Sequence, residues 1–375
     1  MVFLIENDAE LQKIALELKK EAVIGVDLEA DSMFHYQEKV CLLQISTPEL
    51  NTVIDPLSVK DLSPLAPVFA DDRILKVFHG ADYDIRSLYR DFGIEVHSLF
   101  DTQIAARFLG VRETGLASLL KMRFDVSSEK KYQKQDWSQR PLPAAMLRYA
   151  VQDICYLLPL SEILERELTE KRLLFCVEEE CELLSRVRPN SSKNRPFFLS
   201  FKGAGRLDPR SLAVLEKILC FRDQVARRKD RPHFKVLGNN QVIEIVRTKP
   251  VTKTDLTRVK GLSQKVIDHM GRSLVEKVRE GLRLPDGALP VYPKKTRQKL
   301  RSKEAARVKA LKSWRERQCG KWRVDPALVC TNAQILAIAI ANPEKAEDIE
   351  CIENIRKWQI KFFGSEICNI LQETG

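Results

Sequence analysis

The first 170 residues alternate two kinds of hydrophobic pattern. Apolar runs at Ala22–Leu28, "VCLLQIST" and "NTVIDP" are typical of β-strands that are buried on one or both faces. Other stretches place apolar residues at helical spacing and therefore predict helices. The predicted helices are Asp8–Lys20, one that begins near Lys60–Pro67, Asp82–Phe92 and Thr102–Leu109, and a further strand covers Ile74–His79. Early hairpin-like strands followed by helix–strand alternation indicate an α/β sheet.

The second half contains a repeat in its apolar and polar pattern. Shifted by 93 residues, it aligns with itself without a gap. The matched pairs are Arg222 with Arg315, Asn239 with Asn332, Gln241 with Gln334, Pro250 with Pro343, and Gly271 with Gly364. The first copy is predicted to contain helices at roughly Asp208–Lys229, Gly238–Thr248, Thr254–Val259 and Ser263 to about Gly281. Two copies indicate two small helical domains of one kind rather than a solenoid.

Length and composition favour a soluble, cytoplasmic protein of two or three domains. The chain has 375 residues, of which 44% are hydrophobic and 30% are charged. No apolar run approaches the length of a membrane span, and the N-terminus turns acidic too early for a signal peptide. The nine cysteines include no C-x-x-C pair, so we expect thiols in a reducing cytosol rather than a zinc site or disulfides.

The net charge of +10 is divided unequally along the chain. Residues 1–185 sum to about −11 and residues 186–375 to about +21. This asymmetry suggests an acidic half that carries chemistry and a basic half that contacts a polyanion. The densest basic run is Tyr292–Arg323; it could be a solvated helix, but its position between the two repeats favours phosphate contact.

Two acids interrupt the apolar stretch "IGVDLEADS". Side chains alternate along a strand, so Asp27 and Glu29 point to the same side and repel each other. Either the strand ends at Asp27 and both acids reach solvent, or a cation holds them together.

Two further positions carry candidate chemistry. Asp82 is suited to cap the helix after His79, which places Asp84 in its first turn at the edge of the sheet. Pro143 suits a helix start, and that helix puts Tyr149 and Asp153 four residues apart on one face. Each feature alone is also common on ordinary protein surfaces.

Taken together, these residues resemble the motifs of the DEDDy exonucleases and, within them, the ribonuclease D family of bacteria. Asp-x-Glu on a strand, Asp84 after His-Gly-Ala, and Tyr-x-x-x-Asp on a helix occur in the family's order. The stretches "LFDTQIAARFLG" and "KKYQKQDWSQRPLPAAMLRYAVQD" are also similar to that family. The repeated half resembles the HRDC domain, an accessory module that binds or positions nucleic acid. The second copy is less basic in its last helices, which makes direct nucleic-acid contact there doubtful.

The resemblance implies a fold class and a set of domain boundaries. The expected architecture is a ribonuclease H-like α/β exonuclease domain, with a mixed sheet flanked by helices, followed by two all-α HRDC-like domains. The expected division is an exonuclease domain at 1–170, a linker at 171–207, the first HRDC-like domain at 208–288, a basic linker at 289–302 and the second HRDC-like domain at 303–375.

The resemblance also implies catalytic and metal-binding residues. Asp27, Glu29, Asp84 and Asp153 would hold two divalent ions, Mg²⁺ or Mn²⁺, because hard cations prefer oxygen ligands. Asp27 would bridge both ions, Glu29 and Asp153 would hold the ion that activates water, and Asp84 would serve the other ion through water. Tyr149 would orient the attacking water by its hydroxyl. A pKa near 10 argues against a free tyrosine acting as the base.

Substrate contacts are expected at seven further residues. Met33, Phe34 and Tyr36 could stack on terminal bases or cover the sheet edge. His79 could approach the substrate or be a packed histidine. Gln44 could touch the terminal ribose or satisfy backbone groups. The remaining two candidates, for phosphate contact, are Lys131 and Arg140.

The expected function is a 3′→5′ exoribonuclease that releases 5′-mononucleotides. Its expected partners are tRNA precursors and other structured RNA 3′ ends. The protein is expected to be a monomer and not to bind a membrane. Alternatives are a DNA exonuclease of the same motif set and a non-catalytic RNA-binding protein with a decayed nuclease fold. Residues 186–375 are expected to hold RNA through phosphates, with Lys294, Lys295, Arg297, Lys299 and Arg301 as a clamp or, alternatively, a solvated linker.

Overall fold

The computed structural model describes residues 2–127, 130–189, 195–293 and 300–374. The chain divides into two compact units that do not follow sequence order. Unit one comprises Met1–Ala30, Val40–Pro189 and Gln298–Gly375, and unit two comprises Asp31–Lys39 and Asn190–Arg297. The second HRDC-like copy therefore belongs to the same unit as the α/β domain.

Unit one is built on a mixed six-stranded sheet. Its strands are β1 (Val2–Ile5), β2 (Val23–Ala30), β3 (Val40–Ser46), β4 (Asn51–Ile54), β5 (Leu75–Phe78) and β6 (Leu99–Asp101). The spatial order is β1-β4-β3-β2-β5-β6. β3 is antiparallel to both β2 and β4, whereas β2 with β5 and β5 with β6 are parallel. The predicted mixed sheet is confirmed.

The apolar runs explain where the central strands lie. All seven residues of β3 are buried, which is why its sequence is almost continuously apolar. β2 continues two residues beyond the predicted end at Leu28, so Asp27 and Glu29 both lie within the strand.

Helices surround this sheet in the first 189 residues. They are α1 (Asp8–Leu18), α2 (Ala66–Phe69), α3 (Asp82–Phe92), α4 (Thr102–Phe108), α5 (Leu116–Phe124), α6 (Ala144–Cys155), α7 (Leu157–Glu170) and α8 (Leu174–Ser185). The predicted helices correspond to α1, α2, α3 and α4 within a few residues, while α5, α7 and α8 were not anticipated. α7 carries an apolar face of leucines that packs into the core beneath the sheet.

Unit two contains the first HRDC-like copy. Its helices are α9 (Pro209–Arg228), α10 (His233–Val236), α11 (Asn239–Thr248), α12 (Lys253–Leu256) and α13 (Gln264–Arg283). Four of them match the predicted helices, and the short α10 was missed. The Arg222 guanidinium donates to the Leu237 carbonyl and to Asn239 Oδ1, which ties the first helix to the turn before α11.

The second copy repeats the same arrangement in unit one. Its helices are α14 (Ser302–Trp322), α15 (Pro326–Val329), α16 (Asn332–Ala341) and α17 (Lys357–Thr374). Arg315 donates to the Cys330 carbonyl and to Asn332 Oδ1, as Arg222 does at the equivalent positions. A Cβ at Gly364 would lie 2.8 Å from Ala346 Cβ, so this helix position requires a glycine. The repeat inferred from sequence is thus confirmed at the level of individual hydrogen bonds.

The second copy and the α/β domain share one hydrophobic core. Trp358, 1% exposed, packs edge-on against Phe108 with ring centroids 5.2 Å apart. The Glu179 carboxylate accepts from the backbone amides of Lys357 and Trp358 at 2.7 and 2.9 Å, which caps α17. Glu180 accepts from Trp358 Nε1 at 3.0 Å. Helix α8 therefore binds the N-terminal end of α17.

The basic clamp lies mostly outside the described residues. Lys294, Lys295, Arg297 and Lys299 belong to that part of the chain, and Arg301 precedes α14, where its amide donates to Glu304 at 2.7 Å. Among the described helices, none combines the length and apolarity that a membrane crossing demands.

Candidate active site

The first two acids of the site are positioned by β2. Asp27 lies opposite Gln44 and Glu29 opposite Leu42 on the neighbouring strand β3. Residues two apart on a strand point to the same face of the sheet, as do residues directly opposite on neighbouring strands. Both acids therefore lie on one face. A register shift follows Glu29, which ends regular pairing next to the site.

Helix α6 brings a third acid to the same place. Asp153 is 7% exposed, and one of its oxygens lies within 4.8 Å of an oxygen of Asp27 and an oxygen of Glu29. The acids come from a strand and a helix, and Asp153 lies 124 residues after Glu29 in the sequence. Asp84 is 8% exposed in the first turn of α3 and stands outside this closest group.

The cluster is electrostatically unfavourable without a cation. Burial, followed by the charge of Asp153, raises the pKa of Asp27 to about 7. The pKa of Glu29 is raised by burial and by the charges of Asp27, Asp153 and Asp84. The pKa of Asp84 is raised by burial and by the charge of Asp27. These effects place Asp84 within electrostatic range of Asp27 and Glu29.

The turn before α3 is held by an acid that the sequence analysis did not single out. Asp101, 1% exposed, accepts from the amides of Gly80 and Ala81 at 3.0 and 2.8 Å, and from Gln103 and Ile104 at 2.8 and 3.1 Å. It therefore fixes the entry to α3 and, with it, Asp84. The predicted cap was wrong: Ala81 is the N-cap residue of α3, and Asp82 instead binds Arg86 at 2.8 Å.

Tyr149 lies beside Asp153 and is held by aromatic neighbours. Its ring is 5.6 Å from that of Tyr132 and 6.1 Å from that of Trp137. The hydroxyl donates to Asp153 and accepts from the Gln133 amide. Burial and the Asp153 charge raise the pKa of Tyr149, so the hydroxyl stays protonated at neutral pH. It can donate a hydrogen bond but cannot remove a proton in this state.

An open cavity of about 440 Å³ connects these groups. Its lining comprises Asp27, Leu28, Glu29, His79, Gln103, Gly115, Leu116, Ala117, Ser118, Gln133, Tyr149 and Asp153. A larger cavity of about 550 Å³ in unit one is lined by Glu95, Glu178 and Arg188 among others, and includes none of the clustered acids.

The donor set fits a hard divalent cation. Three carboxylates offer oxygens within 4.8 Å of one another, and no lysine or arginine lines this cavity in the described part of the chain. Negative charge that protein cations do not neutralise favours a bound metal ion, and all-oxygen ligands suit Mg²⁺, Ca²⁺ or Mn²⁺.

Three of the predicted substrate contacts lie in unit two. The Tyr36 hydroxyl donates to Asp223 at 2.8 Å, and Arg227 lies over the Tyr36 ring at 5.5 Å. Lys235 lies over the Phe34 ring at 4.0 Å. Met33 is 38% exposed. Phe34 and Tyr36 thus have protein partners in this state, and their stacking on RNA bases stays a prediction.

The other predicted contacts differ in their surroundings. Gln44 is fully buried, and neither its Oε1 nor its Nε2 has a hydrogen-bond partner within the described ranges. Lys131 is exposed, with its ammonium 4.9 Å from the Tyr132 ring centre. His79 lines the cavity itself.

Arg140 uses all its donors on protein groups. Nε and one terminal nitrogen donate to the two oxygens of Asp55, both at 2.6 Å. The remaining N–H groups donate to the carbonyls of Cys41, Trp137 and Gln139. The Asp55 side chain is only 2% exposed, and burial acts to raise its pKa, but hydrogen bonds from Arg140, Ser58 and the Leu57 amide, with the Arg140 charge, together lower it. A phosphate would have to displace these partners.

We therefore expect Arg140→Lys to act on stability. A lysine cannot replace the two-pronged contact with buried Asp55, so the free energy of unfolding should fall by about 2 kcal/mol. Denaturant titration of the variant measures this loss, and KM for an RNA oligomer should stay unchanged. A raised KM with unchanged unfolding would instead support the phosphate contact.

The fold and the acidic site define a class of protein, and comparison with known families agrees. The 3′-5′ exonuclease family matches residues 2–169. The HRDC domain family matches residues 211–278 and 304–371, the same 93-residue offset found in the sequence. The chain is thus a metal-site α/β exonuclease with two HRDC domains.

Similarity over the full length identifies the particular family. The chain is 30% identical to ribonuclease D of Acidiphilium cryptum over 97% of its length and 91% of that protein. It is 27% identical to ribonuclease D of Pseudomonas paraeruginosa, covering 98% and 97% of the two chains. A crystal structure of Escherichia coli RNase D, described as an exoribonuclease involved in structured RNA processing, superposes with a TM-score of 0.72 at 26% identity, covering 100% and 99%. This chain belongs to the ribonuclease D family, which confirms the predicted family, fold class and enzyme class.

Several residues at the site escaped the sequence analysis. Gln103, Ser118 and Gln133 line the cavity, Thr102 bonds His79, and Asp101 holds the turn before α3. Asp101 carried a readable signal, since an acid between a strand and a helix is typical of a helix cap. Gln133 lies in a turn and Ser118 in the first turn of α5, a helix that was not predicted, so neither gave such a signal.

Proposed function

We propose that this protein removes 5′-mononucleotides one at a time from the 3′ end of RNA. The observation that carries the proposal is the convergence of Asp27, Glu29 and Asp153 at one cavity, with Tyr149 bonded to Asp153. Membership of the ribonuclease D family supports RNA as the substrate. The preference for RNA is inferred from family membership and not from any residue that would contact a 2′-hydroxyl.

In this proposal the four acids divide the work of holding two Mg²⁺ or Mn²⁺ ions. Asp27 would contribute a ligand to both ions, Glu29 and Asp153 would hold the ion that activates water, and Asp84 would serve the other ion through water. Such a pair stabilises both the attacking and the leaving oxygens of an in-line displacement at phosphorus. The position of Asp84 outside the closest group of acids is consistent with an indirect role.

Tyr149 acts as an orienting residue in this scheme. Its hydroxyl proton already points to Asp153 and its oxygen accepts from Gln133. A hydroxyl fixed from both sides can hold a water molecule in line with the scissile phosphate without ionising. Removing it should lower kcat more than it raises KM.

We further propose that tRNA precursors are among the substrates, and that the protein acts as a monomer in the cytoplasm. Within the described residues the nine cysteines form no disulfide, which is consistent with a reducing compartment. Parallel assays on one RNA and one DNA oligomer of equal sequence test the preference for RNA.

Activity should depend on divalent metal and on the chemistry of the 3′ end. Excess chelator is expected to stop release of 5′-mononucleotides, and Mg²⁺ or Mn²⁺ should restore it. A 3′-phosphate should slow digestion, because the added charge lies next to the acidic cluster. Equal turnover in chelator would contradict the metal-dependent proposal, and internal cleavage products would contradict the exonuclease.

A further inference from the structure

Gln44 lies beside Asp27 in the sheet, on the face that carries the acidic cluster. The two residues are paired directly across the antiparallel strands β2 and β3. Side chains in such a pair have Cβ atoms about 4.5–5.5 Å apart, so the Gln44 amide is within reach of the Asp27 carboxylate. Glu29, by contrast, lies opposite the apolar Leu42.

The Gln44 amide is buried without a hydrogen bond. The residue is 0% exposed, and within the described ranges neither its Oε1 nor its Nε2 has a partner. A primary amide offers two N–H donors and two acceptor lone pairs, and burying them unpaired costs free energy. An apolar side chain of the same shape would be more stable at this position, so the amide calls for an explanation by function.

The surroundings of Gln44 in the sheet point to Asp27 as its acceptor. The backbone of β3 forms ladders with β2 on one side and with β4 on the other. Val53, opposite Gln44 on β4, belongs to an apolar cluster that includes residues of α6. Ser46, two residues further along the same face, donates to the Ile154 carbonyl at 3.2 Å. Among these neighbours, the Asp27 carboxylate is the group that can accept from the amide.

The position of Gln44 favours an action on the acid rather than on the substrate. Asp27 lines the 440 Å³ cavity, and Gln44 is not part of its lining in the described part of the chain. The amide is therefore better placed to hold Asp27 than to touch the terminal ribose, the contact that the sequence suggested. Carboxylates that bind metal ions are themselves commonly held by hydrogen bonds, and loss of such a partner typically weakens metal affinity about 10- to 100-fold.

We propose that Gln44 is a positioning residue for the metal site: an N–H of its amide donates to the Asp27 carboxylate and orients that group towards the bound ions. The inference rests on the proposed metal-dependent function and adds a residue that acts through Asp27 without touching the substrate. A neutral amide suits this role, because it orients the acid while the cluster keeps the negative charge that attracts divalent cations.

The test compares Gln44→Met with the unaltered protein in two measurements that do not require catalysis. Methionine has a similar length but lacks the amide. In chelator, the variant should unfold about 2 °C higher, because a buried amide without partners has been removed. Titration with Mn²⁺, followed by the signal of the free ion in electron paramagnetic resonance, should show an affinity weaker by about 10-fold or more.

Mononucleotide release separates positioning from a substrate contact. At limiting Mn²⁺ the Gln44→Met variant should be slower than the unaltered protein, and saturating Mn²⁺ should restore most of the rate. KM for an RNA oligomer at saturating Mn²⁺ should stay unchanged. A raised KM under these conditions would indicate that Gln44 contacts RNA, and it would overturn the inference.

Ser46→Ala is the matched control, because Ser46 is buried on the same face of β3 and bonds a backbone carbonyl instead of an acid. It should lower the unfolding temperature slightly and leave Mn²⁺ affinity unchanged. Two results for Gln44→Met would overturn the inference: unchanged Mn²⁺ affinity, or earlier unfolding in chelator, as expected if a buried water already satisfied the amide. If the unaltered protein bound no Mn²⁺, the proposed metal site itself would be contradicted, and this inference with it.

Discussion

Replacing Asp27 by Asn is expected to abolish turnover while making the metal-free protein more stable. Asp27 belongs to the closest group of acids, and its loss removes a ligand that both proposed ions would share. We expect kcat to fall by at least about 10³-fold, equivalent to roughly 4 kcal/mol of transition-state stabilisation. Mononucleotide release under saturating Mg²⁺ or Mn²⁺ measures this loss.

The effect on stability has the opposite sign because the acids repel one another. The pKa of Asp27 rises from an ordinary 3.8 to about 7 on folding. The folded state then binds more protons than the unfolded state between these values, so metal-free stability falls as pH rises from about 4 to about 7. Above pH 7 Asp27→Asn removes this cost and should raise the free energy of unfolding by on the order of 1 kcal/mol or more.

Thermal unfolding in chelator at pH 5 and pH 8 tests the sign. The gain in stability of the variant should be small at pH 5 and larger at pH 8. Asp82→Asn is a suitable control, because Asp82 is exposed, carries the same charge and binds Arg86 instead of joining the cluster. A large loss of metal-free stability in Asp27→Asn would show that Asp27 supports the fold.

The sequence was sufficient for those parts of the site that local patterns encode. Two acids on the same side of an apolar strand left two possibilities, exposure at a strand end or a shared cation, and the resemblance to the exonuclease motifs favoured the cation. The strand and helix periodicities placed Asp84 and Asp153 on the correct elements. The predicted end of β2, at Leu28, was too early. Acidic residues are usually found at strand ends, whereas Asp27 and Glu29 lie within β2.

Contacts between distant residues could not be read from such patterns. Arg140 and Asp55 are 85 residues apart, and the sequence around each residue does not indicate that the two form an ion pair. The bonds from His79 to Thr102 and from the amides of Gly80 and Ala81 to Asp101 join the ends of β5 and β6, whose adjacency depends on the order of strands in the sheet. Only the folded topology brings these groups together.

The two HRDC domains differ in a way that charge alone did not explain. The low positive charge of the second copy suggested weak contact with nucleic acid, and the structure supplies a physical reason for its composition. Its helix α17 begins against α8, where carboxylates of Glu179 and Glu180 accept its donors. The sequence did carry a signal: Trp358 stands where the first copy has the exposed Lys265.

The second copy should therefore be needed for the stability of the catalytic unit. Trp358→Ala removes a fully buried ring and leaves the acceptor Glu180 without the indole donor. Large-to-small changes of this kind cost about 3–5 kcal/mol. Activity on a short oligomer, which needs only the active site, should be lost at a lower temperature than in the unaltered protein.

Lys265→Ala is the matched control, because it changes the equivalent position of the first copy. Lys265 is exposed on α13, so its removal should leave thermal unfolding and short-oligomer activity unchanged. Thermal unfolding and residual activity, followed over the same temperature series for both variants, separate the two roles. If Trp358→Ala retained short-oligomer activity up to the temperature at which the unaltered protein loses it, the second copy would not contribute to the stability of the catalytic unit. The shared core argues for the other result, since a tryptophan packed against Phe108 belongs to the same hydrophobic cluster as the sheet that carries Asp27.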